Sequence, residues 1–193
     1  DMEVDGTNLV QQKTLLMAEV SHLSLREHSG ARINDVSGSF FMQDGLIELE
    51  EMQLTTPYSR ADGSLRIPLS IFIAKDTTAI LRADLRAQLH PKDIFYFTTI
   101  DTHKLLGKQA SLLDTPIALE LKAEGTTEDL TLSRAYVSLP QMLSLELEGK
   151  LQHILSPKQL KGSIDFDLKT NSQAHRLLSF LDSSTAQRIA IPS

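Results

Sequence analysis

Hydrophobic and charged residues alternate along most of this chain. Residues 81–89 read Leu-Arg-Ala-Asp-Leu-Arg-Ala-Gln-Leu, which puts Leu81, Ala83, Leu85, Ala87 and Leu89 on one side of an extended segment and Arg82, Asp84, Arg86 and Gln88 on the other. Side chains of a strand alternate with period two, so such a segment has one dry face and one wet face. Ile117, Leu119, Leu121 and Ala123 repeat the pattern against Glu120, Lys122 and Glu124. Leu143, Leu145 and Leu147 repeat it against Ser144, Glu146 and Glu148, and Ile164, Phe166 and Leu168 against Asp165, Asp167 and Lys169. The pattern predicts a mainly β chain, mostly antiparallel sheet with one apolar surface.

Along the chain, the pattern predicts strands over 15–25 and around Val36, Gly38, Phe40 and Met42. Ser29-Gly30 marks the turn between them. Asp44-Gly45 is a hairpin signal that tolerates positive φ, and Leu46–Leu54 pairs back from it. Thr56-Pro57-Tyr58-Ser59 interrupts pairing. Extended structure is expected to resume over Asp62–Ile73, turn at Lys75-Asp76-Thr77 and continue over Thr78–Leu89. Pro91 suits a first helical turn and Asp93 suits its N-terminus, so Pro91–Thr99 reads as a short helix. Residues 101–113, with Leu105-Leu106-Gly107 and Leu112-Leu113, read as a loop crossing apolar surface. Further strands are expected over 116–124, 129–139, 142–154 and 160–169, with a turn at Gly125-Thr126-Thr127. Asn171 is a candidate N-cap for a second helix through Leu181, with Ala174, Leu177, Leu178 and Leu181 as its apolar stripe.

Leu46–Leu65 and Leu130–Leu151 both run strand, proline-containing break, strand, glycine, apolar position, with the breaks at Pro57 and Pro140. This similarity reads either as a sheet built from repeats, with units near 15–90 and 115–181, or as the likeness of any two hairpins. The chain opens on Asp1 and ends on Ile191-Pro192-Ser193, which resembles the start of another strand. It is therefore expected to be one fragment of a longer protein.

At 193 residues the chain can bury a sizeable core. Aromatic residues make up 5% and tryptophan is absent, so leucine and isoleucine must fill the apolar side. The net charge of −6, with basic residues scattered among acids, argues against a nucleic-acid partner, which needs clustered Lys and Arg. Without cysteine there is no disulfide, thiolate metal site or cysteine nucleophile, although the compartment stays open. No run approaches the roughly 18–20 apolar residues that span a bilayer, and no signal peptide is present.

The chemistry-bearing residues do not assemble into a recognisable site. His22, His28, His90, His103, His153 and His175 show no metal-ligand spacing. No serine sits in a GxSxG elbow, and no glycine-rich phosphate loop is present. Asp165 and Asp167 share the wet face of one strand, where solvation is the ordinary reading and calcium the alternative. Glu48, Glu50 and Glu51 read as a solvated face or as charge protecting a sheet edge. No catalytic residue, metal ligand or cofactor is therefore assigned.

From about Leu23 to Leu181 the chain resembles the extended periplasmic region of the TamB and AsmA-like family, in its Bacteroides-type form. The resemblance rests on Leu23-Ser24-Leu25-Arg26-Glu27-His28-Ser29-Gly30, Val36-Ser37-Gly38-Ser39-Phe40, Leu46-Ile47-Glu48-Leu49 with Met52 and Leu54, and Thr56-Pro57-Tyr58-Ser59. His90-Pro91-Lys92-Asp93-Ile94-Phe95-Tyr96-Phe97 is similar to that family's short helix after a long strand. Each motif is unspecific by itself; their order over roughly 160 residues carries the likeness. It implies an elongated, curled antiparallel sheet, trough- or taco-like, with two short helices. It also implies a periplasmic setting within a protein anchored in the inner membrane. The activity implied is non-enzymatic: outer-membrane protein assembly, with a BamA-like component as a possible partner, or phospholipid movement between the two membranes. No anchor lies in this chain, a departure from the family pattern, so anchoring falls outside it.

The residue-level reading fits this implication, since a sheet with one apolar face either closes on itself or shields acyl chains. Leu81, Leu85, Leu89, Leu119, Leu121, Leu145, Leu147 and Phe166 are expected to share one continuous apolar interior lining a groove, because register preserves parity wherever a face is buried. Ala174, Leu177, Leu178 and Leu181 are expected to cover an end of it. The competing reading is a closed β-sandwich that binds a solute or carbohydrate at its loops.

Overall fold

The computed structural model describes residues 2–12, 15–26, 32–96, 115–140 and 142–171. Ten strands fill most of them: β1 (Met2–Gln12), β2 (Leu15–Arg26), β3 (Arg32–Gln43), β4 (Leu46–Thr55), β5 (Arg60–Pro68), β6 (Leu81–Leu89), β7 (Ile117–Gly125), β8 (Leu130–Leu139), β9 (Leu143–Gln152) and β10 (Lys161–Thr170). They form one antiparallel sheet in sequence order, β1 to β10. Every strand pairs with its chain neighbour, and the sheet is open and curled. The described residues hold this single sheet, with no second sheet packed on it, so they do not form the closed sandwich of the competing reading.

Local chemistry sets the turns. Asp44 (φ 47°) and Gly45 (φ 78°) make the two-residue connection between β3 and β4, where both positions need positive φ. The extended segment expected over Asp62–Ile73 stops at Pro68. Beyond it, the Leu69 N–H donates to the Gly45 carbonyl at 2.6 Å, and Ser70–Ile73 forms the one-turn helix α1. Ile71 is buried while Phe72 and Ile73 are exposed, so the turn tucks one residue of three inward. Thr78 does not join β6. Its N–H and hydroxyl donate to Asp76 Oδ1 at 2.9 and 2.8 Å, closing a polar turn, and the strand begins at Leu81. These two bonds hold the Asp76 carboxyl below the usual carboxylate range, so the turn loses its acceptor only as pH falls through that lowered value.

The Glu48/Glu50/Glu51 cluster guards no edge, because β4 is interior, between β3 and β5. Glu48 pairs with Arg66 across the strands at 3.3 Å, and Glu50 and Glu51 form a bulge where the register skips from Leu49 to Met52. The helix expected over Pro91–Thr99 is present as α2 (Pro91–Tyr96). Residues 97–99 lie outside the described residues, as do the 101–113 loop and the 172–181 part of the second expected helix, with Ala174, Leu177, Leu178 and Leu181.

Charge is gathered on one side of the sheet. Arg82 faces Glu124 at 2.5 Å and Lys122 faces Asp84 at 3.5 Å, each directly opposite in register. Arg134 lies between Glu120 and Glu146 at 3.1 and 3.3 Å. These are cross-strand pairs, the sheet's counterpart of helical i,i+4 pairs. Asp165 and Asp167 stand opposite Glu148 and Glu146 on this face, and the described residues contain no group of three or more potential metal ligands.

Candidate functional site

With the charges on one side, the other side is apolar across the sheet. One register row runs Leu23, Val36, Leu54, Ala61, Ala87, Leu119, Val137, Leu145 and Leu168, one residue from each of β2 to β10. The next row contains Gly63, Leu85, Leu121, Ala135, Leu147 and Phe166 from β5 to β10. A third passes through Phe40, Leu49, Leu65, Ala83, Ala123 and Leu132. A one-residue slip in any pair would break all three rows by moving charges onto this face, so the alternation itself fixes the register.

All eight residues expected to line a groove lie on this face. Leu119 and Leu145 are in the first row, and Leu85, Leu121, Leu147 and Phe166 in the second. Leu81 and Leu89 are at the two ends of β6. They do not form a closed interior. Phe166 is 71% exposed, Leu121 38% and Leu85 36%, and the other five are half-buried. The face is curled, and among the described residues no second layer lies over its middle.

The strand ends are more enclosed. At the end where β7 leads into β8, Ala123, Leu130 and Leu132 are buried, and Leu81, Leu151 and Ile154 pack against them. Ile154 is held there by its N–H donating to the Thr127 carbonyl at 3.0 Å, beside a close contact between the His153 ring and the Glu128 carboxyl group. At the opposite end, the Thr56-Pro57-Tyr58-Ser59 turn is fastened to α2 through one carboxylate. Asp93, only 4% exposed, accepts from Thr56 Oγ1 at 2.5 Å, Ser59 Oγ at 2.6 Å and the Tyr58 N–H at 3.1 Å. Ser59 Oγ in turn accepts from the His90 N–H at 2.8 Å. Leu54, Ala61 and Leu89 from the apolar face border a cavity of about 170 Å³ against this clamp.

The sequence reading gave Asp93 a role at its own helix N-terminus and missed its grip on the turn. The signal available was the Thr-Pro-x-Ser motif, whose two hydroxyls need an acceptor. Asp93→Ala leaves three donors without that acceptor, and a buried donor without a partner costs about 1–3 kcal/mol. Urea denaturation is expected to register a loss of about 3 kcal/mol, allowing for partial rehydration.

No family description, curated protein or solved structure matches this chain. The functional reading therefore rests on the sheet itself and on the resemblance of its motifs.

Proposed function

We propose that this chain is a non-enzymatic module of a TamB/AsmA-like periplasmic protein, and that its apolar face receives phospholipid acyl chains. In the full-length protein, anchored in the inner membrane, such a face serves phospholipid transport between the membranes or outer-membrane assembly beside a BamA-like component. The observation that supports this reading is the continuity of apolar rows across nine strands, with the charges paired on the other side. Burial of apolar surface is non-directional and is worth roughly 25 cal/mol per Å². A face of this kind therefore holds acyl chains without selecting a head group.

The test is extraction. The purified chain is mixed with vesicles of phosphatidylethanolamine and phosphatidylglycerol and re-isolated, and its bound phosphorus is measured. Bound lipid in the same head-group ratio as the vesicles is the expected result. Re-isolated protein free of phosphorus would overturn the reading.

A further inference from the structure

The two edges of the described sheet are built differently. β1 is bulged, with register shifts on both sides of Gly6. Bulges twist an edge away from further pairing. β10 lacks this protection. It pairs with β9 along its full length, Lys161 to Thr170, without a shift, and it contains no proline. Lys161 to Lys169 are all exposed, including Ile164, Phe166 and Leu168 on the apolar face. Among the described residues β10 has β9 on one side and no strand on the other, so its outer side presents a straight row of backbone N–H and C=O groups. Charge along this edge is one-sided. Glu146 faces Asp167 and Glu148 faces Asp165 directly across the β9–β10 pair, and like charges so placed repel. The first pair is relieved, since Arg134 contacts Glu146 at 3.3 Å and Lys169 contacts Asp167 at 2.8 Å. Among the described residues no cation forms an ion pair with Glu148 or Asp165.

We propose that the outer edge of β10 is a docking site for an extended segment of another protein, one that alternates basic and apolar residues. Added as a further strand, such a segment completes the backbone hydrogen bonds that the edge leaves open. Its apolar residues come beside Ile164, Phe166 and Leu168 on one face. Its basic residues come beside Asp165 on the other, where the facing Glu148 and Asp165 carboxylates lack a cation. A second copy of this chain is a poor occupant. Antiparallel pairing of two β10 strands about Phe166 would set Asp165 of each against Asp167 of the other, adding like-charge pairs. An acyl chain is no better, because it has no polar groups to offer the backbone of the edge. The site lies on the rim of the sheet and does not depend on lipid binding to the apolar face.

The probes are fluorescent peptides matched to β10 in length. One alternates lysine and valine, one alternates glutamate and valine, and one has the composition of the first with its lysines grouped at one end. By fluorescence anisotropy the alternating lysine peptide is expected to bind several-fold more tightly than either of the others. It is also expected to slow amide hydrogen exchange in β10 several-fold. Its affinity for Glu148→Gln with Asp165→Asn is expected to fall several-fold. That variant loses a like-charge pair, so its melting temperature should be no lower than the parent's. Equal binding of the two lysine peptides would trace the effect to the net charge of −6 and overturn the proposal. Binding that leaves exchange in β10 unchanged would overturn it as well, as would no binding at all. Undiminished affinity of the double variant, with its sheet intact, would overturn the choice of a basic partner.

Discussion

Gly63→Val is expected to unfold the sheet at 37 °C, although no polar group and no core side chain is lost. Gly63 has φ +147°, a region that only glycine occupies without strain. A Cβ built there falls far inside van der Waals contact with the Asp84 carbonyl oxygen and 2.8 Å from the Leu85 Cα, both backbone atoms of the neighbouring strand. Relief requires β5 and β6 to part in the middle of the sheet. Backbone strain and lost pairing together place the cost at about 4 kcal/mol or more, at the extreme of single substitutions. Gly6→Ala is the matched control, because its Cβ would meet only the Glu19 carbonyl oxygen at 3.4 Å. Thermal melts of both variants check the difference. A Gly63→Val protein that melts like the parent would contradict the close pairing of these strands.

The largest functional effect is expected from Leu85→Arg combined with Leu121→Arg. The two leucines stand opposite each other in register and are already partly exposed, so the arginine stems can lie along the apolar surface with their heads in water. The fold should survive, with a melting temperature within a few degrees of the parent. Two cations on the face should nevertheless deny it to acyl chains, and extracted phospholipid is expected to fall at least about tenfold, equivalent to 1.4 kcal/mol. Arg86→Ala with Lys122→Ala, on the charged face, should leave extraction unchanged. The comparison is read as bound phosphorus per folded protein.

Alternation made much of this architecture legible. From β6 onward, β6, β7, β9 and β10 were read from parity, because each alternates charged or polar residues with apolar ones. Parity alone also placed Leu85, Leu121, Leu147 and Phe166 on one face, and pairing then set them side by side. It failed where a local rule was broken. β1 was missed because its pairing with β2 shifts register on both sides of Gly6, which interrupts the period. The end of β5 was missed because Ile67, Leu69, Ile71 and Ile73 keep strand parity through α1, and the missing N–H of Pro68 was the one hint that pairing stops there. The Asp93 clamp was illegible because Ser59 and Asp93 are 34 residues apart and meet only once β4, β5 and β6 are paired. The contrast between buried Ala83 and exposed Leu85 was equally hidden, since it depends on what packs in from the strand ends rather than on the strand's own pattern.

Photo-crosslinking in cells addresses the central claim most directly. A benzophenone amino acid is placed at Leu121 or Leu147, on the apolar face, and at Lys122 or Glu146, on the charged face, in the full-length protein. After irradiation the purified protein is examined for covalently attached phospholipid. The account predicts adducts from Leu121 and Leu147 and none from Lys122 and Glu146. Folded, abundant protein with no adduct from either apolar position, or with equal adducts from both faces, would contradict it.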